Sequence, residues 1–200
     1  MSTENPMPAK VDLRAELAVG KNAFHPGRVC QVVEWIADVP RRAPALIERM
    51  WDDDAGVAGR AADVLERITR DPSLAMRRLV QGYKEEIIGL LSDARFAKLR
   101  WNLALTIPRM TLTVPECRKV ASVLQTWLDD PSSIIKTTAL HAMADLTRQN
   151  PDSLPEVTDL LRIAGRSGTP AMRARSRILL KALERPEGKR QQRGSLHMFD

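Results

Sequence analysis

One spacing constrains this chain more than any other feature: four helical segments carry the same apolar stripe and begin 37 to 39 residues apart. The segments begin at Val57, Phe96, Ile135 and Met172. The stripe occupies positions i, i+4, i+7 and i+11, which share one face of an α-helix. Fourteen of the sixteen stripe positions are apolar, whereas the composition alone predicts about seven. The spacing therefore predicts a repeat in which each unit buries its apolar face against the next.

A second amphipathic segment precedes each of these helices, so the repeating unit is predicted to be a helical hairpin. The preceding segments are residues 42–51, 76–91, 116–128 and 154–165. The breaks combine proline with a capping residue, as in Asp130-Pro131 and Thr169-Pro170. Helix formers such as Ala, Leu, Arg and Glu are plentiful, and no hairpin turn or sustained apolar–polar alternation indicates a strand. The predicted class is all-α.

The acidic turns inside the hairpins, together with small residues in the second helices, resemble the HEAT repeat. The residues that carry this resemblance are Asp54 before Val57, Asp93 before Phe96, and Asp130 before Ile134 and Ile135. The resemblance covers residues 40–185. It implies a right-handed α-α superhelix of about four hairpins, which is a HEAT-like α-solenoid. Armadillo repeats, with three helices each, are the near alternative, but the sequence leaves no evident room for a third helix.

The predicted domain organisation has three parts. Residues 1–10 are expected to be a flexible N-terminus, and residues 11–185 the solenoid. The segment 29–36 is expected to form a capping helix that covers the first repeat. Residues 186–200 are polar, basic and without periodicity, which predicts a flexible tail.

The resemblance implies that the second helix of each hairpin lines the concave side of the stack. Positions two, five, six and nine residues after the start of the stripe should point away from the seam and line this side. The resulting candidates for partner binding are Asp63, Glu66, Lys98, Trp101, Asn102, His141, Arg173, Arg177 and Lys181. Trp101 is expected either to serve as an aromatic anchor or to fill the space between repeats. Arg100 falls in the seam, so it is expected to pair with an acid or to reach outward to solvent.

The sequence argues against catalysis and against a bound metal or cofactor. Asp63, Asn102 and His141 occupy equivalent positions in successive repeats, but packed helices lie about 8–10 Å apart, too far for a working acid–base contact. No phosphate-binding glycine loop, paired cysteine motif or zinc motif occurs. Two distant cysteines, no apolar leader and no membrane-length apolar run predict a cytoplasmic protein that does not cross a membrane.

The C-terminal end is basic, and it leaves the function open between three hypotheses. Residues 169–200 carry eight basic side chains against three acidic ones, and Arg185 extends the ridge of basic residues on the last helix. The leading hypothesis is a non-enzymatic scaffold that binds another protein or peptide along its concave face. The second is nucleic-acid binding through the basic end. The third is a HEAT-like DNA glycosylase, an analogy of fold alone.

Overall fold

The computed structural model describes residues 11–70 and 73–184, and these residues form helices, turns and loops without a β-strand. The all-α prediction is confirmed. The helices are α1 Leu13–Ala18, α2 Val29–Asp38, α3 Ala43–Arg49, α4 Ala55–Arg70, α5 Leu74–Gly82, α6 Lys84–Asp93, α7 Ala97–Thr106, α8 Val114–Thr126, α9 Ser133–Leu146, α10 Leu154–Ser167 and α11 Pro170–Leu183. Single turns of 3-10 helix occur at Pro40–Arg42, Ile107–Arg109, Trp127–Asp129 and Pro151–Ser153.

The helices fall into two compact units, one ending at Thr106 and the other beginning at Ile107. The predicted segments 1–10 and 186–200, and the basic residue Arg185, lie outside the described residues. The single solenoid domain over residues 11–185 remains a prediction. The right-handed superhelical path of the helices also remains a prediction.

The first unit is built around α4, which packs against α1, α2, α3, α5 and α7. Helix α4 begins where the Asp54 carboxylate accepts hydrogen bonds from the backbone N–H groups of Gly56 and Val57, at 2.8 and 2.9 Å. A carboxylate in this place satisfies two of the free donors at a helix N-terminus. The turn acid of the first repeat is therefore a helix cap. Helix α2 packs against α4, as expected of a capping helix.

One predicted helix is two helices in the structure. Residues 76–91 are predicted to form one helical segment, but α5 ends at Gly82 and α6 begins at Lys84. Glycine is about 1 kcal/mol less favourable than alanine inside a helix, so a break at this position costs little. The segments α5, α6 and α7 make a set of three helices. The expectation that the sequence has no room for a third helix is therefore wrong in this repeat.

The second unit is built around α9, which packs against α8, α10 and α11. Helix α8 begins with a capping box, in which the Thr113 hydroxyl accepts from the Glu116 N–H and the Glu116 carboxylate accepts from the Thr113 N–H at 2.7 Å. Ser132 caps α9 and Thr169 caps α11 through a side-chain oxygen that accepts a hydrogen bond from a backbone N–H group. The hydroxyls of Ser133 and Thr169 lie 2.6 Å apart and join the starts of these two helices.

The apolar stripe forms the core of both units. Thirteen of its sixteen residues are buried, and the half-buried exceptions are Phe96, Arg100 and Leu183. Arg100 donates from Nε to the carbonyl oxygen of Ala94 at 2.7 Å, beside the C-terminal end of α6. A backbone carbonyl therefore accepts a hydrogen bond from one of the five N–H groups of this guanidinium in the seam.

Candidate functional site

The helices α4 and α7 approach closely because α4 has a glycine where α7 has a lysine. A Cβ atom added at Gly59 would lie 2.9 Å from the Cβ of Lys98. The aliphatic stem of Lys98 therefore crosses the surface of α4 and is buried there. Its ammonium group lies 3.0 Å from the Asp63 carboxylate, and the Lys98 side chain is 3% exposed. Asp63 also accepts a hydrogen bond from Arg67 Nε at 2.8 Å.

Two other polar candidates of the first unit are buried beside this ion pair. Asn102 donates from Nδ2 to the carbonyl oxygen of Lys98, one helical turn earlier, at 2.9 Å. Glu66 forms an ion pair with Arg70 at 2.9 Å. The expectation that Glu66, Lys98 and Asn102 point away from the core is wrong, since all three are buried.

These polar side chains are buried because the buried surface of α4 extends around most of the helix. Twelve of its residues are buried, including Ala62 and Glu66, which the sequence analysis placed on the open side. A helix that packs against five other helices has little open side. The rule that residues two, five, six and nine positions into the stripe are exposed therefore fails on α4, where Lys98 of α7 lies against Gly59 and Asp63. Asp63, which is 13% exposed through its side chain, reaches the edge of this contact.

Trp101 lies at the surface of the first unit and stacks on an aromatic residue from a loop. The rings of Phe24 and Trp101 have centroids 6.1 Å apart and an angle of 29° between their planes. Trp101 is half-buried, whereas Phe24 is 57% exposed. Offset stacking of this kind contributes about 0.5–1.5 kcal/mol beyond the buried area. Trp101 is therefore neither a bare groove residue nor a core residue, but the inner member of an exposed aromatic pair.

The loop that carries Phe24 is fastened by a buried arginine of α4. Arg60 donates from Nε to the carbonyl oxygen of Leu17, from Nη2 to that of Ala18 at 3.3 Å, and from Nη1 to those of Asn22 and His25 at 3.0 and 3.2 Å. Arg60 is 3% exposed. A planar guanidinium with five donors suits such a set of carbonyl acceptors. The position of Phe24 against Trp101 therefore depends on a side chain that the sequence analysis did not single out.

Glycines make room for this arginine and for the turn around it. A Cβ atom at Gly20 would lie 2.7 Å from Arg60 Nη1, and one at Gly56 would lie 2.2 Å from Nη2. Gly27 has a φ of 58°, and a Cβ atom there would lie 1.9 Å from the Val19 carbonyl oxygen. Left-handed backbone of this kind favours glycine.

His141 is buried in the second unit, so the expectation that it lines an open groove is wrong. It is 1% exposed, and neither ring nitrogen has a hydrogen-bond partner among the described residues. Its Nε2 lies 3.5 Å from the Asp145 carboxylate. Burial lowers the pKa of His141; Asp145 opposes this shift, while the charges of Arg175, Arg109 and Arg148 reinforce it.

We expect this buried imidazole to make the second unit less stable in mild acid. Its pKa is lowered in the folded chain, whereas the unfolded value is about 6.5, so the unfolded chain takes up the proton first as the pH falls. The free energy of unfolding should then fall below about pH 6.5, by at most about 1.4 kcal/mol per pH unit. Urea unfolding of the wild type and of His141→Leu between about pH 7 and pH 5.5 measures this slope. The leucine variant should lose it, and the exposed His25→Leu control should keep it. Equal slopes in all three proteins would contradict the assignment.

The basic candidates on α11 are exposed, as expected. Arg173, Arg177 and Lys181 are all on the open surface of this helix. Arg173 donates from Nη1 to the carbonyl oxygen of Gly168 at 2.9 Å. No ion pair joins Arg177 or Lys181 to an acid within residues 11–70 and 73–184. This face therefore carries positive charge that the described part of the chain does not neutralise.

The sequence-predicted residues thus form separate groups rather than one row. Lys98 and Asp63 are in contact, and Trp101 pairs with a residue that had not been predicted. His141 and the basic residues of α11 belong to the other unit. Within the described residues, no helix is long and apolar enough to cross a membrane, and no three His, Cys, Asp or Glu side chains gather in a way that could hold a metal ion. Their binding roles stay predictions.

Comparison with known proteins identifies the fold. A designed armadillo repeat protein superposes on the chain with a TM-score of 0.58, over 86% of this chain and 80% of the designed one, at 17% sequence identity. The chain has an ARM/HEAT-like α-solenoid fold. No protein-family model matches the sequence, and no curated protein matches it.

At this identity, the likeness to the designed protein concerns the solenoid fold alone. The helices α5, α6 and α7 agree with the armadillo type, because an armadillo unit has three helices. The α-solenoid predicted from the apolar stripe is therefore confirmed as a fold class.

Proposed function

We propose that this solenoid is a non-enzymatic scaffold that binds another protein, and that the Phe24–Trp101 pair is a principal anchor of the interface. The observation that carries the proposal is the exposed stack itself, with ring centroids 6.1 Å apart. Trp is enriched among the residues that dominate binding energy, and such residues contribute about 2 kcal/mol or more when truncated. Repeat folds commonly bind their partners over extended surfaces.

The rigidity of the pair supports the same proposal. Trp101 is on α7, which is packed on the buried helix α4. Phe24 is on a loop whose backbone is bonded to Arg60 and whose turn is closed by Asn22, which accepts hydrogen bonds from the N–H groups of Phe24 and His25. Aromatic groups held in place before binding lose little conformational entropy when a partner arrives. We also propose a cytoplasmic location, since both Cys30 and Cys117 are free thiols.

An affinity capture with matched variants tests the anchor. The full chain is used as bait in extract from its own cells, and each captured protein is then titrated with wild type and with the double variant Phe24→Ala, Trp101→Ala. We expect the double variant to bind at least about 30-fold more weakly, since each 1.4 kcal/mol is a factor of ten. Leu74→Ala, which truncates another exposed apolar residue of the first unit, should bind like wild type.

Two results would contradict this role. One is a partner that binds the wild type and the double variant equally. The other is a loss of binding in Leu74→Ala of the same size. Far-UV circular dichroism and thermal melting of each variant distinguish loss of contact from loss of fold.

The basic face of α11 favours nucleic-acid binding as a second candidate function. Arg177 and Lys181 have no acidic partner among the described residues, and Arg173 adds a third exposed charge. If these three residues contact phosphates of duplex DNA, log K should fall against log salt with a slope of about −2.7. Fluorescence anisotropy of a labelled duplex measures the slope, and Arg177→Gln with Lys181→Gln should reduce it by about two units. A flat salt response would reject this candidate.

A further inference from the structure

The first unit contains a pocket of about 400 Å³ where the α3–α4 turn meets the α6–α7 turn. This volume lies within the range of small-ligand sites. Its apolar floor comes from the buried side chains of Met50, Leu90 and Leu99. Trp51 and Phe96 stand at its sides. The pocket is formed by turns between helices, so it is distinct from the Phe24–Trp101 pair.

One of the two aromatic residues of the pocket, Phe96, already lies against a positive charge. Trp51 is 43% exposed, and its indole Nε1 donates to the Glu86 carboxylate at 3.2 Å, which fixes its orientation. The Arg95 guanidinium lies 5.4 Å from the centroid of the Phe96 ring. A cation within about 6 Å of an aromatic face is attracted by the ring quadrupole. The chain itself thus shows that a guanidinium fits against Phe96, and Trp51 offers a second exposed aromatic ring of the same lining.

The carboxylates of the pocket differ in how much of their charge is already compensated. Asp52 has an ion pair with Arg14 at 2.8 Å, and Arg49 lies at 3.8 Å. The hydrogen bond from Arg14 is the main reason that the pKa of Asp52 is lowered. Arg95 is the basic side chain of the lining, and it pairs at 2.8 Å with Asp53, a residue that does not line the pocket.

Asp93 is the remaining carboxylate of the lining. It is the last residue of α6 and is exposed, and no basic side chain pairs with it in the described part of the chain. An occupant that is apolar along its length and positively charged at its end complements this pocket, because Asp93 has no basic partner whereas the lining cation Arg95 is already paired with Asp53.

We propose that this pocket binds an arginine side chain presented by a partner protein. The methylene stem would lie on the Met50, Leu90 and Leu99 floor, with the guanidinium against Trp51 and the Asp93 carboxylate. Arginine suits the site better than lysine because its guanidinium is planar, is more weakly hydrated and stacks on aromatic rings. The proposal concerns a different surface from the aromatic pair of the proposed function, so each can fail without the other.

The test uses the full chain and a capped peptide, acetyl-Gly-Leu-Arg-Leu-Gly-amide, with the same peptide carrying citrulline as the neutral control. Indole N–H signals in ¹⁵N spectra report on the four tryptophans separately, and Trp51→Phe assigns the signal of Trp51. We expect only the Trp51 signal to shift in a saturable way. The citrulline peptide should bind about tenfold more weakly, because it keeps the shape and loses the charge.

Matched acid-to-amide variants complete the test. Asp93→Asn should weaken binding of the arginine peptide by about tenfold. Asp38→Asn, at an exposed acid that ends α2, makes the same change in net charge and should leave binding unchanged. The Phe24→Ala, Trp101→Ala variant should also bind the peptide normally.

Three outcomes would overturn the proposal. They are an unmoved Trp51 signal, equal binding of the citrulline peptide, and equal effects of Asp93→Asn and Asp38→Asn. Each variant remains testable because Asp93 and Asp38 are exposed and their replacement leaves the core intact.

Discussion

Replacing Asp63 by Asn should lower the free energy of unfolding by about 3–5 kcal/mol, because it leaves the ammonium group of Lys98 buried without a counter-charge. The Lys98 side chain is 3% exposed, and its nitrogen lies 3.0 Å from the Asp63 carboxylate. Urea unfolding followed by far-UV circular dichroism measures the change. Asp159→Asn breaks an exposed ion pair with Arg162 and should cost less than about 1 kcal/mol.

Replacing Lys98, the other member of the ion pair, should lower the free energy of unfolding much less. This difference would show that the buried, uncompensated charge of Lys98 causes the loss in Asp63→Asn. In Lys98→Met, the Asp63 carboxylate keeps its hydrogen bond from Arg67, and the methionine fills the space of the lysine stem beside Gly59. A loss of about 1 kcal/mol is expected. The double variant Asp63→Asn, Lys98→Met should be more stable than Asp63→Asn alone. Additive losses in the double variant would show that the two side chains do not act as a pair.

Replacing Arg60 by Met should also cost about 3 kcal/mol, since four backbone carbonyl groups lose their donor at once. Methionine keeps much of the apolar volume, so the loss reports on the hydrogen bonds. The free energy of unfolding measures the total effect. Hydrogen exchange at the amides of residues 18–28 should rise as well, because the loop is no longer fastened to α4.

Arg78→Met is the matched control for this arginine. Arg78 is exposed on α5, and its replacement should change the free energy of unfolding by no more than about 0.5 kcal/mol. A wild-type exchange rate in the loop of Arg60→Met would contradict the role assigned to Arg60, whatever the global stability.

The fold could be predicted from the sequence because the apolar stripe identifies one buried face on each of the repeated helices. Residues such as Val57 and Ile135 recur at one spacing and lie in the core, and the helix caps follow from Thr113 and Thr169. The break after Gly82 was missed because the apolar residues on both sides continue one helical pattern. Periodicity predicts which face of a helix is buried, but it does not show where one helix ends and the next begins.

The candidate site could be predicted only in part. The pattern of a helix shows which face is apolar, but it does not show which polar faces a neighbouring helix also buries. Gly59 was a signal that could have been used, since a glycine in a helix permits a close neighbour, and the neighbour is Lys98. Phe24 lies in a loop without periodicity, so its stacking on Trp101 could not be inferred. In the sequence, Arg60 looks like any polar residue of a helix. Its hydrogen-bond partners could not be inferred because they lie more than thirty residues earlier in the chain.

The four bonds from Arg60 reach only carbonyl oxygens, and every amino acid supplies one. These hydrogen bonds therefore do not depend on which side chains stand at Leu17, Ala18 and His25. Arg60 forms none of them with Lys21, Ala23 or Phe24. These last three positions can be varied together while the backbone under them keeps its course. The molecule thus separates a fixed backbone from exchangeable side chains, so residues 21, 23 and 24 are the positions to vary in a library that selects for binding through the proposed surface.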